Sequence, residues 1–169
     1  MNFVNLTQKK KLIDDQSFKK SIHPVISVII TIYNQAHCIH KCIRSIQNQS
    51  VKNIEIIVIY DCSIDNSTEV IEEFQKNDER MTLYKHVMNE GPIKARTDDV
   101  RLAKGKYLTI IDGDDSLIHK NVLYNALKIA EMGKLDIIEF KSASYRNRTF
   151  LEIVNDHKLI NITGIVYQP

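Results

Sequence analysis

Three carboxylates crowd into four residues, Asp112, Gly113, Asp114 and Asp115, directly after the apolar run Tyr107-Leu108-Thr109-Ile110-Ile111. Charge this dense at the end of a core-forming stretch is costly to hold together unless a cation binds there. Carboxylate oxygens are hard ligands suited to Mg2+ or Mn2+. Such ions commonly rest on one or two carboxylates while a substrate's phosphates complete the shell. The run therefore reads as a divalent-metal phosphate site. The same residues also suit a plain acidic turn, because Asp and Gly are common turn formers and Asp115-Ser116 would cap a following helix. On local grounds both readings stand.

The elements that must position these acids follow from the hydrophobic pattern. Val25 to Ile32 is a β-branched run, and Gln35 to Gln49 carries Ile39, Ile43 and Ile46 at helical spacing. Ile54 to Tyr60 predicts a second strand, and Asn66 to Asn77 a helix with Val70, Ile71 and Phe74 on one face. Met81 to His86 reads as a third strand and Ile93 to Ala103 as a third helix, with Lys104-Gly105 as its stop signal. Tyr107 to Ile111 is a fourth strand, Val122 to Met132 a helix stopping at Gly133, and Leu135 to Phe140 a fifth strand. Phe150 to Tyr167 alternates enough for one or two short strands. Continuous apolar strands alternating with amphipathic helices predict an α/β fold, a mostly parallel sheet with helices on both faces. In such sheets ligands bind beyond the carboxyl ends of the strands. Polar groups follow the strands at those points: Thr31, Tyr33 and Asn34, then Asp61 and Ser63, then Asp112 to Asp115. Three such strand ends favour a nucleotide or phosphate site over a lone acidic turn.

Composition bounds the rest. A chain of 169 residues with 43% hydrophobic and 26% charged residues fits one globular domain able to bury a core. A formal net charge of +2 gives no basis for nucleic-acid binding. No apolar run approaches the roughly 20 residues needed to span a bilayer. Residues 1–23 read as a flexible arm whose lysines, Lys9, Lys10 and Lys11, could touch an anionic membrane surface. Residues 24–145 read as the nucleotide-binding domain and 146–169 as a C-terminal segment. Cys38, Cys42 and Cys62 are odd in number and follow no secretory signal, so reduced thiols in the cytoplasm are expected. Cys38 and Cys42 have helical spacing beside His37 and His40, but a structural zinc site draws on two separated ligand pairs and no second pair exists. His86 and His119 read as surface or satisfied histidines. There is no Gly-x-Gly-x-x-Gly after the first strand, no P-loop, and no acidic pair there for a phospho-accepting receiver domain.

Four ordered motifs resemble the family 2 glycosyltransferases of the GT-A fold. They are Val28 to Asn34, Asn53 to Ser67, Ala103 to Tyr107 and Ile111 to Asp115, and the likeness runs from about Pro24 to about Phe140. The resemblance implies an inverting transferase that moves a sugar from a nucleotide-sugar donor, a UDP-sugar, to a saccharide, glycolipid or glycoprotein acceptor. It places Thr31, Tyr33, Asp61, Arg96 and Asp112 at the donor nucleotide, with Tyr33 able to stack on a base and Asp61 matching the acid that binds the uracil. It places Asp114, with Asp112 and Asp115, at an Mn2+ or Mg2+ ion. The chain departs from the family pattern at Tyr60, often Asp, and at Cys62, commonly Gly. It departs again at Thr97 and Asp99, usually Asn and Gly, so that Asp98 and Asp99 add negative charge near the donor. The family's general base lies well downstream, and no residue aligns with it. Asp136 and Glu139 fall on the predicted fifth strand as structural residues, and Glu152 and Asp156 in a weakly patterned tail. A C-terminus cut short within an acceptor region is one expectation. A nucleotide-sugar-binding module without catalysis is the alternative.

Overall fold

The computed structural model describes residues 23–91, 100–138, 141–146, 149–150 and 163–167. The predicted arm, apart from His23, lies outside them, as do Arg96, Glu139, Glu152 and Asp156. Four parallel strands form the main sheet: β1 (Ile26–Ile32), β2 (Ile54–Tyr60), β3 (Met81–Lys85) and β4 (Tyr107–Asp112). Their spatial order is β3-β2-β1-β4. The α-helices among the described residues are α1 (Ile39–Gln47), α2 (Ser67–Lys76) and α3 (Val122–Gly133).

The order dictates which face each connection covers. The steps β1 to β2 and β2 to β3 run the same way, so right-handed crossovers place α1 and α2 on one face, and the return from β3 to β4 belongs on the other. The core follows this division. Val28, Ile30, Ile32, Ile56 and Val58 pack with Ile43 and Ile46 of α1, Ile71 of α2 and Leu123 and Leu127 of α3. Ile29, Ile57 and Ile59 form a second cluster with Leu102 and Ala103 from the β3 to β4 connection. Strands buried on both faces are continuous apolar runs for this reason.

Helix α1 starts at Ile39, four residues later than its periodicity predicts, because the preceding loop is held otherwise. Asn34 takes a left-handed φ of 54°, and side chains of the next loop bind the backbone N–H groups of Asn34, Gln35 and Ala36. At the far end of α1, the buried Gln49 amide donates to the Ser45 and His119 carbonyls and accepts from the Leu123 N–H, tying α1 to the start of α3.

Most of the predicted third helix falls outside the described residues, and Val100–Leu102 form a 3-10 turn. Gly105 does not cap a helix, since its φ is not left-handed. It is small because it abuts β1: a Cβ there would meet the Ser27 backbone nitrogen at 2.5 Å. Similarly, α3 ends through a left-handed Lys134 at φ 50° rather than through Gly133. Leu135 folds back so closely that a Cβ on Gly133 would meet its Cγ at 2.9 Å.

The expected strand from Leu135 does not form over 135–138. Ile137 is 85% exposed, and Leu135 and Ile138 instead line an apolar cleft of about 300 Å³ beside Tyr107 and Leu108. A second sheet, β5-β8-β6-β7, joins β5 (Ser116–Leu117) to β8 (Thr163–Tyr167), β6 (Lys141–Arg146) and β7 (Thr149–Phe150). The last strand of the chain thereby pairs with the two residues that follow Asp115.

Candidate functional site

The chain leaves β1 toward β2 on one side, while β4 lies on the other, so the carboxyl ends of β1 and β4 flank the point where strand order reverses. Crevices of this kind receive ligands in open α/β sheets. The register sets Thr31 opposite Asp112, and the Thr31 hydroxyl donates to Asp112 Oδ1 at 3.1 Å. The Gly113 N–H binds the Thr31 carbonyl at 3.1 Å, and the Asp115 N–H binds the Asp112 carbonyl at 2.9 Å, closing a tight turn. Gln35 lies over that turn, and a Cβ on Gly113 would collide with its side-chain oxygen. Beneath it, the buried Cys42 thiol donates to the Asp112 carbonyl at 3.7 Å, and burial pushes that thiol up in pKa. Cys38 and Cys42 are both buried free thiols, Cys38 just before α1 and Cys42 in its core face.

The three acids of the turn differ in environment. Asp112 and Asp114 are half-buried, whereas Asp115 is 4% exposed. Burial first, then the Asp114 and Asp112 carboxylates, push the Asp115 carboxyl up to about 7. Its Oδ1 is buried without a hydrogen-bond partner, as is the Gln35 side-chain oxygen. An orphaned anionic oxygen beside two further carboxylates is a fitting donor set for a hard cation. Among the described residues, however, no group of three or more His, Cys, Asp or Glu side chains is arranged to hold a metal. The expected trio Asp112, Asp114 and Asp115 is not a closed cage, because Thr31 engages Asp112 while Asp115 is turned into the core. A cation here would rest on one or two carboxylates, with ligand phosphates as the remaining donors.

On the other side of β1, two loops lock together. Asn34 N–H binds Ser63 Oγ at 3.0 Å, and Ile64 N–H returns to Asn34 Oδ1 at 2.9 Å. Asp65 Oδ2 accepts the Ala36 N–H at 2.9 Å, while its Oδ1 accepts the Ser67 N–H at 3.1 Å at the start of α2. The side chain of Asn66, the capping residue by position, makes no such bond, so Asp65 performs that work. The lock presents Tyr33, 48% exposed, next to Thr31. Cys62 adopts φ 55°, a conformation open to glycine without strain.

Asp61 ends β2. Its Oδ1 accepts His86 Nδ1 at 2.9 Å and the Glu90 N–H at 2.9 Å, and its Oδ2 accepts the Gly91 N–H at 3.0 Å. Burial pushes the Asp61 carboxyl up, but the hydrogen bonds from Glu90, His86 and Gly91 outweigh it and hold the group below its ordinary value. Asp136 is exposed and lines the cleft at Tyr107. That is the amino end of β4, about 16 Å along the strand from Asp112 at about 3.3 Å per residue.

Thr31, Tyr33, Asp61 and Asp112 to Asp115 therefore share the carboxyl edge of one sheet, with Thr31 and Asp112 in direct contact. Sequence reasoning did not find Gln35, Asp65, Ser67, His86 or Gly91. An Asp directly before a helix start was a legible signal for Asp65. His86 had none, since its partner lies 25 residues away.

The profile described as Glycosyl transferase family 2 matches residues 27–161. An uncharacterized glycosyltransferase EpsJ of Bacillus subtilis (strain 168) is 33% identical over 130 residues, covering 76% of this chain and 37% of that protein. The crystal structure of S. aureus TarS 1-349 in complex with UDP-GlcNAc is similar with a TM-score of 0.68 at 24% identity, covering 75% of this chain and 37% of that one. The mannosyltransferase PcManGT from Pyrobaculum calidifontis in complex with GDP-Man and Mn2+ is similar with a TM-score of 0.60 at 22% identity, covering 69% and 37%. The chain spans well under half the length of these proteins.

Proposed function

Because the chain belongs to glycosyl transferase family 2 and has the GT-A fold, we propose that it is the donor-binding part of a glycosyltransferase that takes a UDP-sugar. The nucleotide lies across the carboxyl ends of β2, β1 and β4. Two to three strand spacings of about 4.8 Å give a span of about 10 to 14 Å from the Asp61 side to the acids, a reach suited to a nucleoside diphosphate. Asp61 and Tyr33 serve the nucleoside end, with Tyr33 offering an exposed ring for stacking. Thr31 and Asp112 sit at the middle, and Arg96, outside the described residues, is the family-matched basic residue for the phosphates. Asp114 with Asp112 would hold Mn2+ or Mg2+, with Asp115 buried beside them and the donor phosphates completing the shell. A divalent ion bound there would supply Lewis-acid stabilisation of the diphosphate leaving group. An inverting transfer also needs a base at the acceptor hydroxyl on the opposite face of the sugar. Asp136 is ruled out for that task by its place at the wrong end of β4.

The observation that carries this reading is the Thr31 to Asp112 hydrogen bond at the strand-order reversal, beside a buried carboxylate oxygen with no partner. Calorimetry with UDP, with and without Mn2+, tests it on the wild type and on Asp114→Ala. The expected result is Mn2+-dependent UDP binding that Asp114→Ala weakens at least about tenfold, the scale of a lost charge-assisted contact. Binding together with UDP-sugar turnover supports the transferase. Binding without turnover assigns the chain as a nucleotide-sugar-binding module, and absence of UDP binding sinks both.

A further inference from the structure

The nucleoside end is assembled from paired strand positions. Ile32 and Tyr60 stand opposite each other at the ends of β1 and β2, and the Asp61 N–H donates to the Ile32 carbonyl at 2.9 Å, so Tyr33 and Asp61 leave the sheet side by side. Tyr33 is 48% exposed, and a ring so little packed is aimed by its backbone. The next residue, Asn34, is held in its left-handed conformation from two sides: its N–H donates to Ser63 Oγ at 3.0 Å, and its Oδ1 accepts the Ile64 N–H at 2.9 Å. Ser63 is fixed in turn from β2. The half-buried Tyr60 packs against the core, and its hydroxyl donates to the Ser63 carbonyl at 2.6 Å. An Asp, common in the family at this position, accepts only when ionised and could not make that bond.

We propose that Tyr60 is a positioning residue for the nucleoside: its hydroxyl fixes Ser63, Ser63 fixes Asn34, and Asn34 sets the direction in which Tyr33 presents its ring to the base. The proposal deepens the nucleotide-sugar reading above and rests on it, with Tyr33 and Asp61 both kept at the nucleoside. The relay runs through the loops that follow β1 and β2, whereas the acid turn follows β4. Loosening it therefore weakens recognition of the base and spares the diphosphate end. Tyr60→Phe removes the hydroxyl alone and keeps the ring in place, so the relay can be cut without opening a cavity in the core.

Calorimetry with two probes in Mn2+, UDP and inorganic pyrophosphate, separates the two ends. Tyr60→Phe is expected to weaken UDP binding about fivefold, the scale of one lost hydrogen bond, while pyrophosphate binding stays within about twofold of wild type. Ser63→Ala removes the oxygen that receives the Asn34 N–H and keeps the carbonyl that Tyr60 binds. It is expected to show the same split between the probes. Tyr33→Ala supplies the second background: with the ring gone, adding Tyr60→Phe should cost UDP less than about a further twofold. Wild-type UDP affinity in Tyr60→Phe, in Ser63→Ala or in Tyr33→Ala would overturn the relay, as would an equal loss for both probes. A Tyr60→Phe loss that persists undiminished in the Tyr33→Ala background would also overturn it, because the hydroxyl would then act on the ligand by a route other than the ring. A wild-type protein that binds no UDP would instead overturn the donor-site reading.

Discussion

At the residue scale, the described acids at the strand ends differ in their electrostatic surroundings. Asp115 is buried among like charges with an oxygen unmatched, whereas Asp61, buried, and Asp65, half-buried, are surrounded by donors. For Asp65, burial pushes the carboxyl up, but the Ser67 hydroxyl and the Ala36 and Ser67 N–H groups more than compensate, leaving it below its usual value. A carboxyl depressed in the folded state adds stability above its unfolded pKa of about 3.9, and that stability is lost as pH falls through the folded value. Urea unfolding between pH 3 and pH 7 should therefore show wild-type stability declining below about pH 4. Asp65→Asn should flatten that decline and cost about 1 kcal/mol at neutral pH, the scale of a lost helix cap. An unchanged acid limb in the variant would mean that the loop lock does not depend on the charge. The sequence marked Asp61, Asp112, Asp114 and Asp115 as one kind of residue, acids at strand ends. That Asp115 keeps an orphaned oxygen, Asp112 accepts a hydroxyl and Asp61 accepts from His86 depends on neighbours such as Thr31 and His86, which sequence distance conceals.

At the element scale, periodicity located β1 to β4, α1, α2 and α3 to within a few residues, because each has a face that must be apolar. It failed where local signals had a different cause. Gly105 resembles a helix stop, yet its smallness serves the approach of the β4 entry to β1: its N–H donates to the buried Ser27 Oγ at 2.8 Å. Gly105→Ala should accordingly destabilise by about 1 to 3 kcal/mol through overpacking against backbone that cannot yield. A denaturant midpoint equal to wild type would show that β1 and the β4 entry can separate. The run from Leu135 has the composition of a strand, but it lines a cleft at the edge of β4, and no pattern within the run encodes that choice. The late start of α1 has the same character. Its loop N–H groups are bound by Ser63, Asp65 and Ser67 from the next crossover, a cost to helix extension that the Gln35 to Cys38 segment does not reveal.

At the scale of the whole molecule, the sheet joins the Asp61 end and the Asp112 to Asp115 end into one edge, so a ligand that spans both should stabilise the fold as a unit. A nucleotide at about 100 times its Kd adds about 2.7 kcal/mol to the folded state by mass action. Thermal unfolding with Mn2+ and UDP together should shift Tm upward by several degrees, and either component alone by less. Equal shifts with Mn2+ alone would place the cation site apart from the nucleotide. The sequence by itself determined the α/β class, the four parallel strands and the strand ends that carry polar groups, because burial on two faces imposes a continuous apolar run that composition displays. Only the tertiary structure decided that Thr31 meets Asp112, that one buried oxygen of Asp115 is left without a partner, and that Asp61 accepts from His86 and the following loop. Those outcomes depend on the order in which strands sit side by side, which handed crossovers set across tens of residues.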